Sequence, residues 1–174
     1  MKLLPFLLLS SLLITAGACK KDSEDPGTAA GDGTVTWTSN GTTYTSTVRA
    51  SAIVDSGDKI IVSAGSDDNN NILSLSLQGI NAKGAGGYDL RKGSVLDNLP
   101  AGVLNLNGSS GAGTTYNTLY GPNASNGTVT VSQYDKAGQK LSGTFSFTAG
   151  ALPNTGATGT RGVTNGSFSF TKFR

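Results

Sequence analysis

Lys140-Leu141-Ser142-Gly143-Thr144-Phe145-Ser146-Phe147-Thr148-Ala149 alternates without a break. Successive side chains of an extended chain point to opposite faces. Leu141, Gly143, Phe145 and Phe147 therefore share one face, and Ser142, Thr144, Ser146 and Thr148 share the other. The pattern predicts a strand with one buried and one wet side. Gly166-Ser167-Phe168-Ser169-Phe170-Thr171 repeats the design, which predicts two neighbouring strands built alike. Working outward, Thr128 to Tyr134 aligns Val129 with Val131, and Ile72 to Leu77 aligns Leu73, Leu75 and Leu77. Tyr44 to Val54 keeps Tyr44, Val48, Ala50, Ala52 and Val54 in phase, as one long strand or two joined by a bend.

The residues between these segments are turn formers. Asn40-Gly41 supplies the positive φ angles of a tight hairpin between Val35–Thr38 and Thr42–Thr45. Asp55-Ser56-Gly57-Asp58 and Lys136-Ala137-Gly138-Gln139 separate further strands, the latter joining antiparallel neighbours. Asn165-Gly166 makes either a hairpin or a bulge that shifts the phase. Pro153 to Gly162 reads as a long loop. No stretch keeps the spacing of an amphipathic helix. Short strands at such intervals predict a single all-β domain, an antiparallel β-sandwich or a barrel-like fold, over residues 34–174. A domain of about 140 residues buries around two-thirds of its chain surface.

The chain has 174 residues, 25 of them Gly, with one Cys, one Trp and no His. Without histidine there is no Ser-His-Asp or Cys-His pair and no imidazole metal ligand. A net charge of +2 lacks the basic footprint of a nucleic-acid partner. Carboxylate pairs are the main enzymatic route left. Asp55, Asp58, Asp67, Asp68, Asp89, Asp97 and Asp135 mostly fall in inferred turns, and the one glutamate, Glu24, precedes the domain. The expectation is a domain that is not an enzyme and carries no cofactor.

Lys2 is followed by apolar Leu3 to Ile14, then by Thr15-Ala16-Gly17-Ala18 and the lone Cys19. A basic start, a short apolar core and small residues form the layout of a secretory signal over residues 1–18. Ala16-Gly17-Ala18-Cys19 resembles the lipobox of bacterial lipoproteins, which implies acylation of Cys19, with Ala16 standing where leucine is usual. Several acyl chains give a stable membrane anchor. Residues 19–33 read as a flexible tether, being charged and then rich in Gly, Asp and Pro. Lys20-Lys21-Asp22-Ser23-Glu24-Asp25 resembles the signal that sends Bacteroidota lipoproteins to the outer face of the outer membrane. Loss of Lys2 with the leader leaves 12 basic against 11 acidic residues, so charge alone does not attach the chain to anionic surfaces.

Gly127 to Val131, Tyr134-Asp135-Lys136, Leu141 to Ala149, Thr164 to Phe168 and the opening Trp37 to Tyr44 are similar to a family of uncharacterised Bacteroidota cell-envelope lipoproteins. The resemblance implies a β-domain of unknown function and brings no site residues with it.

Two site readings come from the residues themselves. In Ser66 to Asn71, Asp67, Asn69 and Asn71 match the first ligand positions of an EF-hand loop, but Ile72 replaces its glycine and Gln78 its bidentate glutamate. A polar hairpin connection is expected, with no metal. Trp37, Tyr116 and Tyr120 are the candidate stacking platforms for a glycan, although Trp37 and Tyr44 in suitable register would pack on each other instead. The expected function is that of an outer-membrane-anchored, surface-exposed lipoprotein with a non-catalytic β-domain. The alternative is a carbohydrate-binding lipoprotein assisting glycan capture.

Overall fold

The computed structural model describes residues 32–107 and 113–173. The leader over 1–18, Cys19 and nearly all of the tether lie outside the described residues. Eleven strands form one antiparallel sheet, curled into a half-barrel over a single apolar cluster. They are β1 Gly33–Ser39, β2 Thr42–Ser46, β3 Ser51–Asp55, β4 Lys59–Gly65, β5 Asn71–Gln78, β6 Gly86–Arg91, β7 Ala101–Leu106, β8 Thr114–Asn117, β9 Ser125–Asp135, β10 Lys140–Ala151 and β11 Thr160–Phe170. The order is β2-β1-β11-β10-β8-β7-β5-β4-β3, with β9 also on β10 and β6 beyond it. The all-β reading holds.

The opening motif and its twin sit side by side as β10 and β11. Antiparallel pairing sets Gly143 opposite Phe168 and Phe145 opposite Gly166. A Cβ at Gly143 would strike the Phe168 ring and the Thr130 carbonyl oxygen of β9, and one at Gly166 would strike the Phe145 ring. Each glycine is thus the seat of the other strand's aromatic. Phe147 lies against Gly102 of β7 and Phe170 against Gly33 of β1 in the same manner. The rings touch along the ladder, Phe145 to Phe147 at 6.3 Å, Phe145 to Phe168 at 6.3 Å and Phe168 to Phe170 at 6.5 Å. A buried Phe stabilises the fold by about 1.5–3 kcal/mol.

Asn165-Gly166 proves to be a bulge. Asn165 has φ 51°, and an extra residue of β11 faces both β1 and β10. One inserted residue exchanges the faces of a strand. Val163 is buried before it, and Gly166, Phe168 and Phe170 after it. An extra residue at Ser132 does the same for β9, so that Tyr134 rather than Gln133 follows Val129 and Val131 inward.

The other turns fall as expected, with corrections. Asn40 and Gly41 have φ 51° and 77° and close the β1–β2 hairpin. Tyr44 to Val54 is two strands, β2 and β3, at opposite ends of the strand order. β11 begins at Thr160, inside the segment read as loop, because Arg161 pairs with Ala149. Among the described residues a one-turn helix, α1 Ile80–Lys83, and the 3-10 turns Val95–Asp97 and Thr118–Tyr120 interrupt the strands.

β10 is where the sheet forks. One edge pairs with β11, whereas the other pairs with β9 from Lys140 to Phe147 and with β8 at Gly150 and Ala151. The 3-10 turn Thr118–Tyr120 packs at the split, its Tyr120 carbonyl lying where a Cβ on Gly150 would go. Thr118 and Asn126 are buried there and fully engaged. Thr118 Oγ1 accepts from Gly102 N at 3.0 Å. Asn126 Nδ2 donates to Thr118 O at 2.9 Å and to Asn123 O at 2.8 Å, and its Oδ1 accepts from Asn123 N at 2.9 Å.

Gly143→Ala and Gly166→Ala are each expected to cost about 1–3 kcal/mol by overpacking. Phe168→Leu should offset part of the first and Phe145→Leu part of the second, and urea unfolding of the double mutants measures that coupling. Additive losses would contradict the interlock.

Candidate functional site

The three candidate aromatics do not meet as a platform. Trp37 is fully buried and stacks at 5.2 Å on Tyr44, its register partner. Tyr116 is buried beneath the Arg161 guanidinium, 4.9 Å from its centroid, and its hydroxyl donates to Thr158 O at 3.3 Å. Only Tyr120 reaches solvent, at 36% exposure. Stacking on a sugar ring needs an exposed aromatic face, and a lone Tyr120 at the fork supplies one at most, so recognition by stacking is not what these three residues build. The remaining tyrosines also hold structure. Tyr88 Oη donates to Gly84 O and Tyr134 Oη to Asn81 Oδ1, each at 2.6 Å. Burial, reinforced by Asp58, pushes both phenols above their ordinary pKa.

The Ser66 to Asn71 loop is the expected hairpin connection, between β4 and β5. Its oxygens do converge on a cation, but the cation is Arg49. Nη1 donates to Ser66 O at 3.0 Å, Asp67 O at 2.9 Å and Asn69 Oδ1 at 2.5 Å. The guanidinium fills the oxygen cluster from the β2–β3 connection. Among the described residues no three His, Cys, Asp or Glu side chains gather as a metal site.

The carboxylates hold turns. Asp55 pairs with Lys59 at 2.8 Å across the β3–β4 hairpin. Asp58 Oδ1 accepts from Asn81 N at 2.6 Å in α1. Asp97 accepts from Ser94 N and Asp135 from Gly138 N. Three carboxyls lie below the ordinary aspartate pKa, each chiefly through a side-chain hydrogen bond: Asp55 from Lys59, Asp68 from Ser66 and Asp89 from Ser125.

With the charges at the turns, the outer face of β2, β1, β11, β10 and β9 is left to hydroxyls. Register aligns them in rows across the strands. One row runs Thr45, Thr36, Ser167, Thr144, Thr130. A second runs Thr43, Thr38, Thr164, then past the bulge Ser146 and Thr128. A third runs Thr34, Ser169, Ser142, whose Oγ lies 3.0 Å from Ser132 Oγ. Strands about 4.7–4.9 Å apart with same-face residues two steps along make this a two-dimensional lattice.

The lattice contains a shallow trough. One depression of about 630 Å³ is lined by Thr128, Thr130, Thr144, Ser146, Thr164, Asn165 and Ser167, with Phe145 and Gly166 beside them. A second of about 240 Å³ shares Ser146 and Thr164 with it and adds Asn126, Gly127, Thr148 and others. No charged side chain lines either. In the sequence these residues show only as the wet sides of strands, apart from Asn165 at its bulge.

A family described as Domain of unknown function (DUF6252) matches residues 31–171. The chain belongs to that family. No curated protein and no solved structure matches the chain. The match covers every strand from β1 to β11, so the fork, the interlock and the hydroxyl face all lie within the family domain.

Two outcomes follow. Arg49→Met should release the β4–β5 loop, with faster hydrogen exchange at the Asn69 and Asn71 amides and a loss of about 1 kcal/mol, since it removes charge-assisted bonds at a mostly exposed site. Because Asp55, Asp68 and Asp89 are lowered in the folded state, their stabilisation is present above the ordinary aspartate pKa of about 3.9 and is lost as pH falls through the lowered values. Melting temperature followed from pH 6 to pH 2 should therefore drop mainly below pH 4, and less steeply in an Asp55→Asn, Asp68→Asn, Asp89→Asn triple variant.

Proposed function

We propose that this chain is a lipid-anchored protein of the bacterial cell envelope, with a non-catalytic β-domain held on a short tether at the outer membrane. The observation that carries the reading is Cys19, the only thiol of the chain, standing directly behind a basic, apolar and small-residue leader. A short apolar core followed by small residues is a signal for export and cleavage rather than a span. Acyl chains on the cysteine then supply the membrane affinity that a nearly neutral mature chain does not get from charge. Surface exposure is supported by Lys20-Lys21-Asp22-Ser23-Glu24-Asp25, and the Bacteroidota origin by the same stretch together with the strand motifs.

The non-catalytic part is supported by the employment of most described carboxylates. Asp55, Asp58, Asp68, Asp89, Asp97 and Asp135 are each engaged by a neighbouring side chain or a backbone amide, and Asp67 stands exposed in the β4–β5 loop beside Asp68. A general acid and base need two carboxyls facing a common substrate, and the engaged ones face their own partners.

Cys19→Ser expressed in a Bacteroidota host should move the protein from the membrane fraction to the soluble fraction and abolish labelling by an alkyne fatty acid. Membrane association that survives the substitution, with labelling lost, would overturn the anchor.

A further inference from the structure

We infer that the trough across β9, β10 and β11 binds an extended, uncharged, polyhydroxylated polymer, a neutral polysaccharide. The inference rests on reading the domain as a non-catalytic binding unit and is independent of the Cys19 anchor.

Two observations converge on it. The first is the chemistry of the face. Across β2, β1, β11, β10 and β9 its three hydroxyl rows contain no Lys, Arg, Asp or Glu. The next position in register beyond Thr128 is Asp89 on β6, whose charge is answered by Arg91 at 2.8 Å. Lipid headgroups, nucleic acids and acidic peptides need a counter-charge that this surface does not offer. An apolar partner would bury the hydroxyls without hydrogen bonds, at a cost. A ligand that brings its own neutral donors and acceptors fits, because each Ser or Thr hydroxyl can both donate and accept.

The second observation is the shape. The trough is a shallow, open depression of about 630 Å³ that shares Ser146 and Thr164 with one of about 240 Å³, and it crosses the strands. Thr128, Thr130, Thr144, Ser146 and Ser167 are exposed there, and their side chains make no hydrogen bond to another described residue. At the margin the hydroxyls do pair, Thr38 with Thr43 at 2.9 Å and Ser132 with Ser142 at 3.0 Å. Thr34 and Ser169, outside the trough, are unpaired as well, so free hydroxyls run across the lattice and the depression sets which of them one ligand can reach together. Threonine is stiff at χ1, so these groups lose little freedom when a ligand settles.

Size follows from magnitude. A neutral hydrogen bond exchanged with water contributes little net, so one sugar gains too little and a chain contacting successive strands gains several such increments. The ligand therefore lies across the strands, stepping about 4.7–4.9 Å from one hydroxyl to the next.

Affinity electrophoresis of the whole chain, solubilised in neutral detergent, tests this in gels containing hydroxyethylcellulose, dextran, galactomannan or anionic alginate. Retardation by at least one of the three neutral polymers and not by alginate is expected. Thr130→Lys with Thr144→Lys should weaken that retardation at least tenfold, and Thr144→Val, which keeps the shape and removes one hydroxyl, two- to fivefold. Ser74→Lys on β5, away from the trough, should change nothing, with melting temperatures confirming that all variants fold. Migration unaffected by every neutral polymer, retention by alginate alone, or a double-lysine variant that binds as well as the parent would each overturn the site. Retention accompanied by shortening of the polymer would keep the site and overturn the non-catalytic reading instead.

Discussion

Glycine opposite phenylalanine, twice over between β10 and β11, is the contact on which the remainder of this fold is built. A strand pair with two phenylalanines on each inner face would be too thick if every facing residue were large. Setting Gly143 under Phe168 and Gly166 under Phe145 lets four rings share one layer. That layer fixes the register of β10, and β10 carries both branches of the sheet. Without a defined β10, β9 and β8 would have no common edge to divide. Much of the glycine in this composition is therefore packing rather than flexibility. Gly33 and Gly102 serve Phe170 and Phe147 in the same way.

Alternation was the most legible feature because it is local. Lys140 to Ala149, Leu73 to Leu77 and Val129 to Val131 declared their buried faces from spacing alone, and Asn40-Gly41 declared its turn from the φ angles it tolerates. Three strands were not legible. β6, β7 and β8 are short and interrupted by Gly and Asn, so Tyr88 with Leu90 was the only signal that β6 left in the sequence. The fork was beyond local reading, since it depends on Asn126 reaching Thr118 and on Gly150 yielding space to Tyr120. The bulge at Asn165 was recognisable as one of two outcomes, and only pairing with two neighbours at once selects it.

The site was the least legible part, for a physical reason. Its rows join positions such as 45, 36, 167, 144 and 130, which no window along the chain brings together. The aromatics drew attention because a single Trp and a few Tyr stand out among Ser, Thr and Gly. Yet Trp37 alternates with Thr36 and Thr38, and the side turned outward was the threonine side. Charge is likewise distributed by position in the fold. Arg49, Lys59, Asp58 and Asp135 work at turns and connections, whereas the charges within strands are occupied locally, Asp89 by Arg91 on β6 and Arg161 over the Tyr116 ring.

The paired seating of rings on glycines also governs which substitutions such a chain can absorb. Gly143 and Phe168 are far apart in sequence but act as a single unit of volume, as do Phe145 and Gly166. A methyl gained on one side meets the ring on the other, so a change of size at either position is felt at both. The interlock thus ties two distant positions into one steric quantity, so that the tolerance of either is set by its partner and not by its neighbours in sequence.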